Sequence, residues 1–293
     1  MASDASYTAA KEAIHEKLTS LFDGSIYMDF SKWMKVGPSA GDNSIYAIVW
    51  ELAKNVFDVF LLAGCILSLC YFVMYIIDKV SKQEVTIDGM MRCCIELVIA
   101  LIVMVNAWTI SQKLLDLGDA MYDDTATAMS QAGEAGSGNV DFVEDMYKEL
   151  TDDSDSFSLK PLRTLYLKIS YSLNFGMIET AQKISAVMMI VAGITRGILV
   201  IILTMFFPIG IANLYGNGLN SPGMRYMKRY AAACISGAIM VAISTAAQFL
   251  QVAVLNTENI SATTGPIYSL AVAFVAVAMM FKAPSFANDI VGV

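Results

Sequence analysis

Residues Ile184 to Tyr215 read ISAVMMIVAGITRGILVIILTMFFPIGIANLY. The stretch is apolar almost throughout and carries one charge, Arg196, near its middle. Soluble core helices are rarely this apolar for this long. As a helix, Ile184 to Ile211 would reach about 42 Å. A bilayer core is about 30 Å thick and is crossed by about 20 apolar residues. The stretch therefore predicts a membrane span with length to spare for tilt or a kink. Pro208 and the Gly193/Gly197 pair offer places for the kink. A charge inside such a run is costly. Arg196 must meet an acid from another span, such as Asp58 or Glu96, or backbone carbonyls freed near Gly193 or Gly197, or water in a central passage.

The remainder of the chain fits around that span. Its 293 residues are 56% hydrophobic and 16% charged, with a mean hydropathy of +0.57. Soluble domains carry about 25% charged residues. The composition predicts an all-α, polytopic helical membrane protein with about five spans. The formal net charge of −8 argues against nucleic-acid binding by bulk charge. Acid is concentrated between Asp116 and Asp155, where 12 Asp/Glu face a single Lys148. The remaining segments are slightly basic, as membrane flanks often are.

Going outward towards the N-terminus, residues 4–23 read as an amphipathic helix. Ala10, Ile14, Leu18, Leu21 and Phe22 fall near one face, with Lys11, Glu16 and Lys17 off it. Such a helix suits a membrane surface, a partner, or a cap on the same protein. Trp33 and its neighbours have an interfacial character, and Gly37-Pro38-Ser39-Ala40-Gly41 breaks the chain. Asp42 or Asn43 is placed to cap a helix that becomes the first span, Val56 to Ile77, with Asp58 near its start. A second span runs from about Cys93 to Ile110, with Glu96 near its beginning. Ser111 to Lys183 is then an extramembrane section. It contains a continuation of the second helix, the Gly-rich connector QAGEAGSGN, a short acidic helix over Asp141–Leu150, and a helix opening at Pro161. The chain thus divides into 1–42, 43–110, 111–183 and 184–293.

Beyond the central span, GNGLNSPGMRYMKRY reads as a turn-rich loop ending in the basic cluster Arg225, Lys228 and Arg229. An uncharged span, Tyr230 to Leu255, follows. The fifth span, Ile267 to Phe281, is closed by Lys282 and Pro284. The positive-inside rule places the basic loops 79–92 and 225–229 in the cytoplasm. That puts the N-terminus and the acidic section outside, and the tail inside.

Few residues carry chemistry. The five cysteines lie in or beside apolar runs and read as packing residues rather than a disulfide framework. His15 is the only histidine, which excludes paired-histidine metal motifs. No nucleophile elbow or phosphate-cradling Gly-Lys-Ser/Thr motif is visible. The sequence therefore predicts no catalytic site, no cofactor and no metal, and the chain is not expected to be an enzyme. The N-terminus lacks the basic and apolar regions of a signal peptide. Asp58, Glu96 and Arg196 are the ionisable groups in or near spans. An ion- or small-molecule transporter would use them, although Asp58 and Glu96 also suit solvated interfaces. Gly193-x-x-x-Gly197 and Ala233-x-x-x-Gly237 are small-residue faces that permit close approach.

Several patterns coincide in the C-terminal third. The long span ends in FFPIGIANLYG (206–216), and the turn after it ends in MRYMKRY (224–230). An Ala/Ser-rich uncharged span, a short span and the tail FKAPSFANDIVG (281–292) complete the layout. In these features the chain resembles the TrbL family, polytopic inner-membrane subunits of conjugation and type IV secretion machines. The resemblance covers Val56 onward and suits that family's five-span plan. It implies a homo-oligomeric ring in the bacterial cytoplasmic membrane, working with other secretion subunits and handing DNA or protein substrate across the bilayer. Arg196, Gly193, Gly197, Asp58 and Glu96 would then face a lumen or a subunit contact, and Arg225, Lys228 and Arg229 would form a cytoplasmic basic cluster.

Overall fold

A computed structural model describes residues 2–22, 33–36, 46–82, 87–134, 147–148, 160–214, 221–255 and 265–293. The expected break at 37–41, the caps Asp42 and Asn43, and the loop 256–264 lie outside the described residues, as does all but 147–148 of the expected acidic helix. The described residues form helices and no strand. In chain order they are α1 (Ala2–Phe22), α2 (Ala47–Ser81), α3 (Ile87–Val105), α4 (Ala107–Glu134), α5 (Lys160–Met205), α6 (Phe207–Gly210), α7 (Pro222–Leu255) and α8 (Gly265–Val291). The protein is an all-α polytopic membrane protein. Among the described residues four helices are long and apolar enough to cross a bilayer, and a fifth span is made if α3 and α4 count as one bent pair.

Local sequence explains where these helices run and stop. The amphipathic stretch before the first span and the span itself form one 35-residue helix, α2, starting after Tyr46. The second span is not continuous. It breaks at Asn106, and α3 and α4 meet at a 65° bend. Both the backbone N–H and the side-chain amide of Asn106 donate to the Ile102 carbonyl, at 3.1 and 2.8 Å. A side chain that competes for a helix carbonyl in this way is a known cause of kinks.

The central span differs from the expected 184–211. Pro161 lies in the first turn of α5, a helix of 46 residues that neither Gly193 nor Gly197 interrupts. The break falls at Phe206, before Pro208 in the single turn of α6. The basic cluster expected in a loop lies instead on the first turns of α7. Ser221 precedes that helix, and its Oγ accepts the Met224 N–H at 3.3 Å, an N-cap followed by Pro222 at the first helical position. Lys282 and Pro284 do not end the last span, because α8 continues to Val291 with Pro284 inside it. Proline costs a helix one hydrogen bond and about 3 kcal/mol. Here Met280, Ala283 and Ala287, all fully buried, carry the apolar stripe past the proline, and packing sustains the helix. At its end the N–H groups of Gly292 (φ 73°) and Val293 both reach the Asn288 carbonyl at 3.0 Å.

The chain gathers into two compact units, whose division falls inside α4, α5, α7 and α8. They are built from non-contiguous stretches, and the segment boundaries 110/111 and 183/184 fall within α4 and α5. One unit comprises Met1–Lys32, Thr125–Ala192 and Met240–Phe281. In it Ala10, Ile14 and Leu18 of α1 are buried at four-residue spacing, so this helix caps its own protein. Its interior also holds a polar clamp. Gln182 of α5 and Gln251 of α7 both donate to Ser269 Oγ of α8, at 3.1 and 2.8 Å.

The other unit comprises Trp33–Asp124, Gly193–Ile239 and Lys282–Val293. Its core joins Trp50 and Phe57 of α2, Met104 of α3, Leu115 of α4, Val200 and Leu203 of α5, Phe207 of α6 and Tyr230 of α7. The Trp108 ring lies 5.9 Å from that of Trp50 and 5.0 Å from that of Phe57. Leu115, Gly118, Asp119 and Tyr122 of α4 are buried. The start of the acidic section therefore packs into this core. Its helical repeat accounts for this, since residues 115, 118, 119 and 122 share one face while Asp116, Asp123 and Asp124 stay exposed.

Candidate functional site

Among the described residues Arg196 is the largest fully buried side chain, at 1% exposure. Of the three ways to lower its cost, the chain uses backbone carbonyls, but not those near Gly193 and Gly197. Nη1 donates to the carbonyl of Met34, and Nη2 donates to that of Cys234 at 2.8 Å. Asp119 lies close enough to act on the guanidinium through its charge, and Nε has no partner among the described residues. Arg196 is thus inside the subunit, where its donors tie parts of one chain together. The sequence expected it to face a lumen or a subunit contact; within this one chain its side chain is 1% exposed.

The carbonyls need these donors for a physical reason. Trp33–Val36 is irregular backbone, and Met34 and Val36 are fully buried. Irregular backbone at membrane depth is tolerated only where protein satisfies its polar groups. Arg196 supplies a donor to Met34, and Tyr46 Oη supplies one to the Trp33 carbonyl at 3.1 Å. Lys35 leaves the segment to pair with Asp123 at 2.7 Å.

Small residues make the close approach possible. The face of Gly193 and Gly197 receives this segment and Tyr46 rather than another helix. A Cβ on Gly197 would sit 2.5 Å from the Tyr46 ring, whereas one on Gly193 would meet the Met34 methyl at 3.0 Å and Trp33 Cβ at 3.4 Å. Gly237 lies under the guanidinium, with 2.6 Å between a would-be Cβ and Cζ. Gly118 lets α4 press on α7, since a Cβ there would lie 2.6 Å from the Cys234 carbonyl oxygen. On the Ala233-x-x-x-Gly237 face, Gly237 thus makes room for the arginine side chain.

Beside the arginine runs a second buried network. Tyr230 Oη donates to the Ser111 carbonyl at 3.1 Å and lies 3.0 Å from Thr204 Oγ1. The break before α6 leaves the Leu203 carbonyl without its helical donor, and Tyr226 Oη takes it at 2.8 Å. Gly210 lies flat against the Tyr226 ring, and Pro208 against Gly64 of α2.

The other expected residues sit apart from this cluster. Asp58 is exposed on α2, and neither it nor Glu96 bonds to Arg196. Glu96 is half-buried on α3, with Oε2 buried and unpartnered among the described residues. Arg225 and Arg229 are exposed, and Lys228 donates to the Gly292 carbonyl at 3.3 Å. Among the described residues no group of three His, Cys, Asp or Glu is placed to hold a metal ion.

Sequence reasoning missed Met34, Gly118, Asp119, Tyr230 and Cys234. The one available signal was Tyr226 and Tyr230, four residues apart in an apolar helix, since buried tyrosine hydroxyls require partners. No family model matches this chain, and neither does any curated protein or solved structure.

Proposed function

We propose that this chain is a channel or scaffold subunit of a type IV secretion or conjugation machine. It would sit in the bacterial cytoplasmic membrane with its N-terminus outside and help DNA or protein substrate across. One observation supports the reading most. Three of the stretches that carry the TrbL resemblance, those around Phe207, 224–230 and 282–292, fall within a single compact unit. Phe207 stacks edge-on against Tyr226 and Tyr230 with centroids 6.1 and 5.1 Å apart, and the tail meets the basic cluster through Lys228 and Gly292. The pattern thus has a shared structural purpose. A transporter built on Arg196, Asp58 and Glu96 has less support, because those residues do not form one site.

The function implies a ring of identical subunits. Electron microscopy after gentle detergent extraction should show it, and deletion of the chain should abolish substrate transfer. A strictly monomeric protein whose loss leaves transfer unchanged would overturn the proposal. Topology is tested separately, with single cysteines at Ser137 and Asn220 in a cysteine-free background. An impermeant thiol reagent on intact spheroplasts should label position 137 alone. Labelling of position 220 alone would reverse the orientation.

A further inference from the structure

Helix α2 buries one face in its own unit and leaves the opposite face bare. Trp50, Phe57 and Gly64, spaced seven residues apart, are buried. On the other side, positions 48, 52, 55, 59, 62, 66, 69, 73, 76 and 80 follow one another at alternating spacings of four and three. Nine of the ten are exposed, Ile48 at 83% and Val59 at 71%, and Ile76 is half-buried. Nine are aliphatic, and the other is Asn55. An apolar repeat averaging 3.5 residues is the seam of a coiled coil, in which each side chain enters a hole on a facing helix.

Lipid does not account for the whole seam. Glu51, Lys54 and Asp58 are exposed on the first three turns of α2, and their charges hold those turns outside the hydrocarbon. Val59 to Ile77 follows without a charge. At 1.5 Å per residue it reaches about 28 Å, which matches the thickness of a bilayer core. Ile48 and Leu52 continue the seam beyond that span, where lipid tails do not cover them and exposure to water is unfavourable.

We propose that this face docks on α2 of a second copy of the chain, the two helices running parallel as a left-handed coiled coil. Copies inserted in one orientation present α2 in the same direction, which makes the pair parallel. The composition of the seam agrees. From Val59 on, one row is Val59, Ile66, Val73 and Val80, and the other is Leu62, Leu69 and Ile76. β-Branched residues in the first row with Leu in the second favour two parallel strands. Asn55 then faces its own counterpart, and a polar pair inside an apolar seam fixes register. Ile48 to Val80 forms a strip about 50 Å long and about 10 Å wide. Two such strips bury on the order of 1,000 Å² in total, the area that a specific interface needs. The pairing rests on the membrane placement of α2 and not on the secretion reading. A two-stranded contact closes on itself, so a ring requires a further contact.

Disulfide linking of the full chain in native membranes tests the pairing, with single cysteines in a cysteine-free background. Leu62→Cys should link to its counterpart on oxidation at least about tenfold faster than Met74→Cys, which is equally apolar and exposed but lies off the seam. Ile48→Glu/Leu52→Glu, placed outside the hydrocarbon on side chains that are already exposed, should slow linking at position 62 about tenfold. A photoreactive residue at position 69, compared with one at position 74 in the chain with its own cysteines, makes the same test if the cysteine-free form fails to fold. Equal linking at positions 62 and 74, or linking at 62 unchanged by the two glutamates, overturns the pairing and leaves this face to lipid. Capture of a different protein at position 69, and not of a second copy, overturns the occupant. None of these measurements reads substrate transfer, so their failure is distinct from failure of the secretion reading.

Discussion

At the scale of single residues, Arg196 shows how a charge is kept in a membrane protein without a charged partner in direct contact. Its guanidinium spreads donors to two carbonyls, those of Met34 and Cys234. A lysine is a point charge on a flexible stem and does not span both. Arg196→Lys should therefore be destabilising, and Arg196→Leu, which leaves the Met34 carbonyl without its donor, should cost about 1–3 kcal/mol. Thermal unfolding in detergent reads both. A lysine variant as stable as the parent would indicate a wet, adaptable site instead. The glycine pair beside it should respond unequally. Gly197→Ala drives a Cβ into a packed ring, with about 1–3 kcal/mol expected for overpacking, whereas Gly193→Ala meets the flexible end of Met34 and only then Trp33 Cβ at 3.4 Å and should cost less.

At the scale of elements, the breaks and the non-break follow one rule: a helix ends where its carbonyls have another donor and continues where packing outweighs the loss. The Leu203 carbonyl freed before α6 is taken by Tyr226. Tyr226→Phe keeps the ring against Gly210 but removes that donor. It should cost about 1–3 kcal/mol, the penalty for an unsatisfied buried group, with the loss confined to the α5–α6 junction in hydrogen exchange. Pro284 makes the opposite case. Since α8 runs through it, Pro284→Ala should restore a hydrogen bond and slow amide exchange over residues 284–291. Faster exchange there would mean that the proline holds the helix rather than straining it.

At the scale of the whole molecule, the apolar surface is unevenly spent. Only 11% of the apolar window of α2 is buried within the chain, against 56% for α7. Ile48, Leu62, Ile66, Val73 and Ile77 of α2 are all more than half exposed. Patches this apolar on a protein surface mark contact with lipid or with other protein. The acidic section divides at the same scale. Its first turns, to Tyr122, are core, so its dispensable part starts later than the charge count implies. Deleting Gln131–Asn139 should leave membrane insertion and a single size-exclusion peak intact. Replacing Gly118 by Ala, which presses on the Cys234 carbonyl, should broaden or shift that peak. Aggregation of the deletion and not of Gly118→Ala would reverse that division.

The sequence by itself determined the membrane, the helices and the stripe of α1. Hydrophobic length and three- to four-residue spacing act locally, and nothing distant competes with them. Ile184–Met205 could hardly be other than a spanning helix, and Ala10, Ile14 and Leu18 could hardly be other than one buried face. The tertiary structure decided where the helices break and what Arg196 touches. Asn106 carries no sequence signal stronger than its neighbours', and Pro284 carries a strong one that packing overrides. The partners of Arg196 lie 162 and 38 residues away and are backbone carbonyls, which every residue has. A charge seeking a charge can be guessed from a list of acids. A charge satisfied by main-chain oxygens is visible only once folding has brought Trp33–Val36, α5 and α7 together.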